Sequence, residues 1–307
     1  MHRIKLTITL TIISFSLSFS QMNFEDSSAQ VISYWDLGEK YEYEIEHQKL
    51  KYNDEDTTSN EMMTYEVEVS VIDSASSGYT VRWFYKNFKS NSENPLVKKL
   101  ATVSEDIAVD IELDELGTIL GVLNWKEVRD YMTSAIDTLM AELPDVPEIK
   151  NMFTNMKGIY ASKETIEATA IQDAQQFHNF HGGRYILNEE VKGMIQTQNV
   201  YYPEKPFDTE VTVILEELDK DNNEFRIRSI NEINSEQLTD TTYDFLVKMF
   251  GDLNQEVPPR EEFENLTNTI ETVSRIHNTG WVLESVLWKE IITDGQTNLE
   301  IRTIVMK

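Results

Sequence analysis

Runs of strictly alternating residues are the feature that most constrains how this chain can fold. Over residues 41–47, Tyr, Ile and His alternate with Glu, and over residues 65–71, Tyr and Val alternate with Glu and Ser. Successive side chains of a β-strand point to opposite faces, so each run has one mainly apolar face and one polar face. We therefore predict strands of an antiparallel sheet that has one buried face and one face in water.

The same pattern predicts two more strands, over residues 79–85 and 107–113, with turn-forming residues at 74–78. Residues 53–60 are acidic, amidic and hydroxylic, without an apolar residue, which predicts a loop between the first two strands. Four consecutive strands separated by loops favour a meander.

Helical spacing of apolar residues replaces this alternation in the middle of the chain. It predicts helices over residues 125–143, 149–160, 163–180 and 235–253, the third of them ended by His181-Gly182-Gly183. Strands are predicted in the remainder, over residues 184–202, 211–215, 225–229, 269–277, 281–292 and 298–306. Asp294-Gly295 is a strong hairpin signal between the last two strands.

Strand runs followed by helix runs indicate an α+β fold. We predict a curved antiparallel β-sheet, a half-barrel-like meander, whose concave face is covered by the helices at residues 125–180 and 235–253. Residues 34–307 are assigned to a single domain. The repeated order of meander and helices adds the hypothesis of two similar halves, residues 34–183 and 184–307.

The first 20 residues have the organisation of a secretory signal peptide. A basic start precedes an apolar and hydroxylic run at residues 6–19, and small residues fit a cleavage site near Ser20. The run is shorter than the roughly 20 apolar residues that a membrane-spanning helix needs. We expect cleavage, a flexible lead-in over residues 21–33, export to the periplasm or the medium, and no stable membrane insertion.

Composition excludes several classes of site and partner. The chain contains no cysteine, which excludes disulfides, thiolate metal ligands, cysteine nucleophiles and a lipid-anchored lipoprotein. It has 54 acidic against 27 basic residues and a formal net charge of −27. Such a surface repels phosphate backbones, so nucleic acid is not expected as a partner.

One cluster with the spacing of calcium ligands has a simpler interpretation. Asp219, Asp221 and Asn223 are spaced like the first ligands of a calcium-binding loop. That loop also needs a glycine and a bidentate acid, where this chain has Glu224 and Ile230. A polar hairpin tip is the favoured interpretation.

A second potential metal cluster contains two histidines. His178 and His181 are three residues apart near a predicted helix end, with Asp173 upstream, but no third ligand is identified. A role at the helix C-terminus, where donor or cationic side chains are favoured, is the preferred interpretation. No metal and no cofactor are predicted.

Sequence motifs for catalysis are missing. The chain has no G-x-S-x-G, no S-x-x-K and no phosphate-binding glycine loop. The histidines that follow the signal are His47, His178, His181 and His277, and none stands in such a motif. No catalytic residue is predicted, although an enzyme remains an alternative because glycosidases often carry no motif.

Large aromatic residues occupy strand positions, most of them predicted to face inward. They are Tyr41, Tyr43, Trp83, Tyr85, Trp281 and Trp288. Aromatic residues on a concave sheet either line an apolar ligand cavity or form ordinary core. The core interpretation is favoured, and the cavity stays open as the alternative.

Two segments carry a resemblance to a known group of proteins. They are the segment from Thr165 to Asn188, which contains Gln-Gln-Phe-His-Asn-Phe-His-Gly-Gly-Arg-Tyr, and Leu37-Gly38-Glu39-Lys40-Tyr41. Both resemble exported proteins of Bacteroidetes-type bacteria that have no assigned activity, and a signal ending in Ser-Gln suits them. The predicted layout is also similar in topology to the half-barrels of periplasmic lipid and lipoprotein carriers, although a fold does not determine function.

Three functions are compatible with these observations. The leading hypothesis is a non-catalytic protein of the cell envelope that holds an apolar small molecule or lipid between sheet and helices. A hydrolase of envelope polymers would show a cleft with two facing carboxylates and a perturbed histidine. A structural or interaction protein would expose a broad apolar patch. Ligand-binding residues and protein partners are not predicted.

Overall fold

The computed structural model describes residues 21–54, 56–141, 146–199, 202, 204–252, 259–293 and 295–307. The predicted signal peptide, residues 1–20, lies outside the described residues, as does Asp294 of the predicted last hairpin. Among the residues that are described, none of the helices combines the length and the apolar character needed to span a bilayer.

Strands make up most of the structure. In chain order they are β1 (Met22–Asn23), β2 (Ser28–Gln30), β3 (Lys40–Asn53), β4 (Asp56–Ala75), β5 (Gly78–Ser90), β6 (Ala108–Asp114), β7 (Ile119–Val122), β8 (Arg184–Ile186), β9 (Glu190–Thr197), β10 (Phe207–Asp219), β11 (Glu224–Ile233), β12 (Thr267–His277), β13 (Val282–Thr293) and β14 (Gln296–Met306). The helices are α1 (Pro95–Ala101), α2 (Trp125–Ala141), α3 (Pro147–Ile159), α4 (Lys163–Thr169), α5 (Gln172–Phe177) and α6 (Ser235–Asp252), followed by a 3₁₀ turn at Arg260–Glu262.

Eleven of the strands form one antiparallel sheet in the order β7-β6-β5-β4-β3-β14-β13-β12-β11-β10-β9, and β1, β2 and β8 form a small second sheet. The large sheet runs through both halves of the chain because β3 pairs with β14, in a register that places Ile45 opposite Ile304. It is open, with β7 and β9 at its edges. The predicted α+β class with a curved antiparallel sheet is confirmed.

The main core lies between one face of this sheet and the helices. Alternate residues of the central strands, such as Ile45, Val67, Trp83 and Ile111, are fully buried there, as period-two alternation predicts. Helix α2 buries residues at helical spacing against them, namely Val128, Met132 and Ile136. Helices α2, α4, α5 and α6 each contact strands of the large sheet.

The predicted loop over residues 53–60 is wrong. Strand β4 begins at Asp56, and its pairing with β3 continues to Asn53 opposite Asp56, with Asp54 in the left-handed region at φ 53°. This end of the hairpin is mostly exposed, so no apolar face is needed and the sequence shows no alternation. Strand β7 and helix α1, which were not predicted, are both short.

The helix predicted over residues 163–180 is two helices in the structure. Helix α4 begins after Ser162, whose side chain and that of Thr165 form a reciprocal capping box. The chain leaves helical geometry at Ile171, with φ −113° and ψ 30°, and α5 follows. Apolar periodicity continues across the break because Ile171 is also buried, so the sequence pattern does not reveal it.

The segment expected to be a flexible lead-in, residues 21–33, differs from that expectation. It contains β1 and β2, and Ala29 and Val31 are fully buried. The backbone of Val31 exchanges hydrogen bonds with the glycines that follow α5, from Val31 N to Gly183 O at 2.9 Å and from Gly182 N to Val31 O at 2.8 Å. This pairing holds the segment against the helices.

The chain that follows this segment packs against the large sheet where β3 begins and where β12 turns into β13. We call this region the packed end of the sheet. Trp35 stacks on Trp281 with ring centroids 4.3 Å apart, and both are buried. Gly280, immediately before Trp281, has φ +87°, and a Cβ added to it would overlap the carbonyl oxygen of Ile32. Close packing here therefore requires glycine at position 280.

We predict that Gly280→Ala lowers the free energy of unfolding by about 2–3 kcal/mol, because it adds both backbone strain and a steric overlap. Urea denaturation of a chain that begins at residue 21 measures this change. Gly158→Ala is the matched control, since Gly158 is helical and an added Cβ meets nothing within 4 Å. The control should raise stability by about 0.5–1 kcal/mol. Equal effects of the two substitutions would contradict the packing described here.

Candidate functional site

The central cavity, with a volume of about 190 Å³, lies between the large sheet and helices α2 and α4. Much of its wall is apolar and comes from strands and helices that also form the core. The apolar residues that line it are Met63, Phe88, Ile107, Val109, Val128, Met132, Ile166, Ala170 and Ile171. Such a wall can bind an apolar group without hydrogen-bond partners.

One end of the central cavity is formed by a buried ion pair. The Nε atom of Arg302 lies 3.3 Å from Oδ1 of Asp173, and both side chains are almost fully buried. Arg302 also donates from Nη2 to Oε1 of Gln172 at 2.7 Å and to Oε1 of Glu300 at 3.3 Å. A buried arginine is stable only when partners compensate its charge, and these three side chains do so.

Tyrosines of the cavity wall join the same network. The hydroxyl of Tyr65 donates to Oδ2 of Asp173 at 2.9 Å. Burial raises the pKa values of Tyr65 and Tyr85 well above their usual range, and the nearby Asp173 carboxylate raises them further. Both hydroxyls therefore stay protonated and act as hydrogen-bond donors rather than as bases or nucleophiles.

Glu300 connects the ion pair to a histidine on the neighbouring strand. Its Oε1 lies 2.8 Å from Nε2 of His47. The hydrogen bond to His47 is the main cause that lowers the pKa of Glu300, and with the nearby charges of Arg302 and Lys49 it brings that pKa to about 2, against the opposing effect of burial. The Glu300 carboxylate is therefore already engaged by two neighbouring side chains, His47 and Arg302.

Two recesses adjoin the central cavity. The first, of about 250 Å³, shares His47 and Met63 with it and also contains Lys49 and Val97. The second, of about 220 Å³, shares Gln172 and Arg302 with the cavity and extends below α5. This second recess is rich in amides and is lined in part by Gln175, Gln176, Asn179, Asn231 and Lys289. The sheet face thus changes from apolar to polar around Arg302.

The aromatic residues singled out from the sequence lie in different environments. Tyr43, Trp83 and Trp281 are fully buried and contact the ring of Phe177 edge-on or tilted, which makes them core. Tyr85 lines the central cavity, whereas Tyr41 is 36% exposed. Trp288 lies on the other face of the sheet, because its neighbours Leu287 and Lys289 line the second recess.

His178 and His181 are both buried and lie at the packed end of the sheet rather than at the cavity. Nδ1 of His178 donates to the carbonyl oxygen of Gly117 at 2.8 Å, and Nε2 of His181 donates to that of Gly280 at 3.0 Å. Their side chains therefore donate to loop carbonyls and join three loops, instead of donating to the carbonyls at the helix end or placing a positive charge there, which corrects the expectation from the sequence.

Burial keeps both imidazoles neutral. Burial is the main cause that lowers the pKa of His178 well below its usual value, and the proximity of His181 lowers it further. Burial also lowers the pKa of His181, from 6.5 to about 4, despite the hydrogen bond to Gly280. Asp173 does not join them as a ligand, since it pairs with Arg302. Within the described ranges, no three His, Asp or Glu side chains are grouped as metal ligands.

The predicted hairpin tip at residues 219–223 has the geometry of a turn. Oδ1 of Asp219 accepts hydrogen bonds from the backbone nitrogens of Asp221 and Asn222 at 2.9 and 3.0 Å. The hydrogen bond from the backbone of Asn222 is the main cause that lowers the pKa of Asp219. Asn223 has φ 59°, a left-handed conformation typical of Asn in tight hairpins.

Comparisons with known proteins give no sequence match and only low-scoring structural alignments. No family model and no curated protein sequence matches it. Among solved structures, a porin-like protein from Bacteroides uniformis aligns with a TM-score of 0.18 and 11% identity, over 90% of this chain and 98% of that chain. The loop L8 deletion mutant of OmpT, an outer membrane protein of Vibrio cholerae, aligns with a TM-score of 0.16 and 10% identity, over 89% and 100%. Such scores assign neither fold nor function.

We predict that Arg302→Met lowers the free energy of unfolding by about 3–5 kcal/mol, because it leaves the buried Asp173 carboxylate without its cation. Arg82→Met is the matched control. Arg82 pairs with Asp110 at 2.7 Å, but its side chain is 45% exposed, so the loss there should be below about 1 kcal/mol. Urea denaturation at pH 7 measures both variants, and losses of similar size would show that the Arg302 pair contributes no more than a surface pair.

We predict that stability falls between pH 6.5 and pH 4 because of His181. In this window the unfolded chain binds a proton at this imidazole and the folded protein does not, so the free energy of unfolding decreases as the pH decreases. Between pH 7 and pH 4.5, the wild type should lose about 2–3 kcal/mol more than His181→Gln does.

For each variant, the free energy of unfolding at pH 4.5 is subtracted from that at pH 7. Any effect of the His181 substitution that is the same at both pH values therefore cancels. His277→Gln is the control, since His277 is only half-buried and lies outside the packed pair. A wild-type loss equal to that of His181→Gln would mean that His181 is protonated in the folded protein well above pH 4.5.

Proposed function

We propose that this chain is an exported, non-catalytic binding protein that holds the apolar part of a small molecule in the central cavity. The observation that supports this proposal is the cavity itself, about 190 Å³ in volume, with an apolar wall and a polar end formed by Arg302 and Asp173. Export rests on the predicted signal peptide, and the apolar ligand rests on the chemistry of the wall.

The size of the cavity fits a modest apolar group. A dry apolar cavity of roughly 150 Å³ binds molecules such as benzene, and pockets for drug-sized ligands begin at about 300 Å³. The two adjoining recesses provide further space on the side of His47 and on the side of Gln172. A ligand with one compact apolar end and one polar end suits this arrangement.

The alternative of a hydrolase has less support from the same residues. Asp173 and Glu300 both form ion pairs with Arg302, so neither carboxylate lies free in the cavity. The two histidines with lowered pKa values lie in the packed end of the sheet, hydrogen-bonded to backbone carbonyls. The geometry therefore favours binding over acid–base chemistry.

We predict that the mature protein binds the compact neutral fluorophore 1-naphthol in this cavity and that Ala170→Leu weakens binding at least about tenfold, because the larger side chain fills the volume. Ala170 lines the cavity at the end of α4. Fluorescence titration measures the affinity.

Ala141→Leu is the matched control, since Ala141 is an exposed residue at the end of α2. It should bind the fluorophore like the wild type, and circular dichroism should show both variants folded. A wild type that does not bind, or an Ala170→Leu variant that binds equally well, would reject the cavity as the binding site.

A further inference from the structure

The sheet register places charged residues in a row next to the polar end of the central cavity. Lys49 of β3 is opposite Glu300 of β14, and Glu300 is opposite Lys289 of β13. Residues directly opposite on neighbouring strands share a face, so the two lysines flank Glu300 on the face that carries Arg302. Lys51 lies two residues beyond Lys49 and shares a small recess with both lysines.

This row is close to the cavity. Arg302 and His47, which line the cavity, are opposite each other in the preceding row of the same face. Two residues along a strand span about 7 Å, and neighbouring strands are about 4.8 Å apart. The backbones of Lys49 and Lys289 are therefore about 10 Å apart, and long lysine side chains can reach one group between them.

Glu300 lies between the two lysines, and the charge of Lys49 helps to lower the pKa of its carboxyl, but its hydrogen bonds go to other side chains. Glu300 accepts from His47 at 2.8 Å and from Arg302 at 3.3 Å. Among the described residues, neither Lys49 nor Lys289 has a carboxylate within ion-pair distance, whereas the arginines of this part of the chain are all paired. Neither lysine thus forms a direct ion pair, although Glu61 of β4 is opposite Lys49 and lines the first recess with it.

Arg302 itself is a poorer partner for a ligand. It is buried and already engaged by Asp173, Gln172 and Glu300. The chain as a whole carries a formal net charge of −27, which repels anions over most of the surface. An acidic group can therefore bind only where local cations outnumber local carboxylates. Lys49, Lys51 and Lys289 together outnumber Glu61 and Glu300 around these recesses.

We propose that the ligand of the central cavity is an anionic amphiphile, whose apolar chain enters the cavity and whose acidic head lies between Lys49 and Lys289. This inference rests on the proposed function and adds the chemistry of the polar end of the ligand. The head can be a carboxylate or another acidic group, since lysine binds either as a point charge.

The test compares two probes that have an alkyl chain of the same length and differ in the charge of the head group. Decanoate is ionised at pH 8 and decan-1-ol is neutral, so isothermal titration of the delipidated mature protein at low salt isolates the contribution of the head group. We expect the wild type to bind decanoate more tightly than decan-1-ol. Lys49→Gln/Lys289→Gln should weaken decanoate binding roughly fivefold to tenfold and leave decan-1-ol binding unchanged.

The control is Lys89→Gln/Lys248→Gln, which makes the same change in net charge at two exposed lysines outside these recesses. Decanoate binding that falls equally in both double variants would overturn the inference in favour of a general electrostatic effect. Equal binding of the two probes to the wild type would overturn the inference of an acidic head group and would leave the proposal of an apolar binding cavity standing. Failure of both probes to bind would reject the proposed function together with this inference.

Discussion

The buried ion pair between Arg302 and Asp173 is the interaction on which the arrangement of this structure depends. A guanidinium that is about 94% buried is tolerated only when a carboxylate and further acceptors surround it. Asp173 lies on α5 and Arg302 on β14, so the pair fixes this short helix above the middle of the sheet. The break at Ile171 permits that position, because in a continuous helix Asp173 would lie along the axis of α4.

The same few strands supply both the core and the site, since the inward face changes character along their length. In β3 the inward residues proceed from Tyr43 and Ile45 through His47 to Lys49. In β14 they proceed from Ile304 through Arg302 to Glu300. The apolar end packs against α5 and is full, whereas the charged end leads through the paired Arg302 and Glu300 to the exposed Lys49. A cavity at the boundary between the two follows from this gradient.

Alternation specified the strands of the first half well because it was unambiguous there. In β3 and β4 the outward positions are mostly glutamates, so the buried face could be read directly from the sequence. In β14 both faces carry apolar residues, and Leu299, Ile301 and Val305 lie on the face opposite Arg302. Binary patterning alone assigns the larger apolar set to the core, and for this reason the polar end of the site could not be predicted. The central cavity was anticipated only as one of two interpretations of the aromatic residues, and most of those residues form core.

The packed end of the sheet explains why an open cavity can persist elsewhere in the molecule. Trp35, Trp281 and Phe177 fill the space between the loops, and the two buried histidines hydrogen-bond to backbone carbonyls. These contacts connect the segment that contains Trp35, the chain at the end of α5, and the turn between β12 and β13. Because that end is closely packed and joined by hydrogen bonds, it fixes α5 on the sheet, and α5 in turn contributes Gln172 and Asp173 to the wall of the cavity.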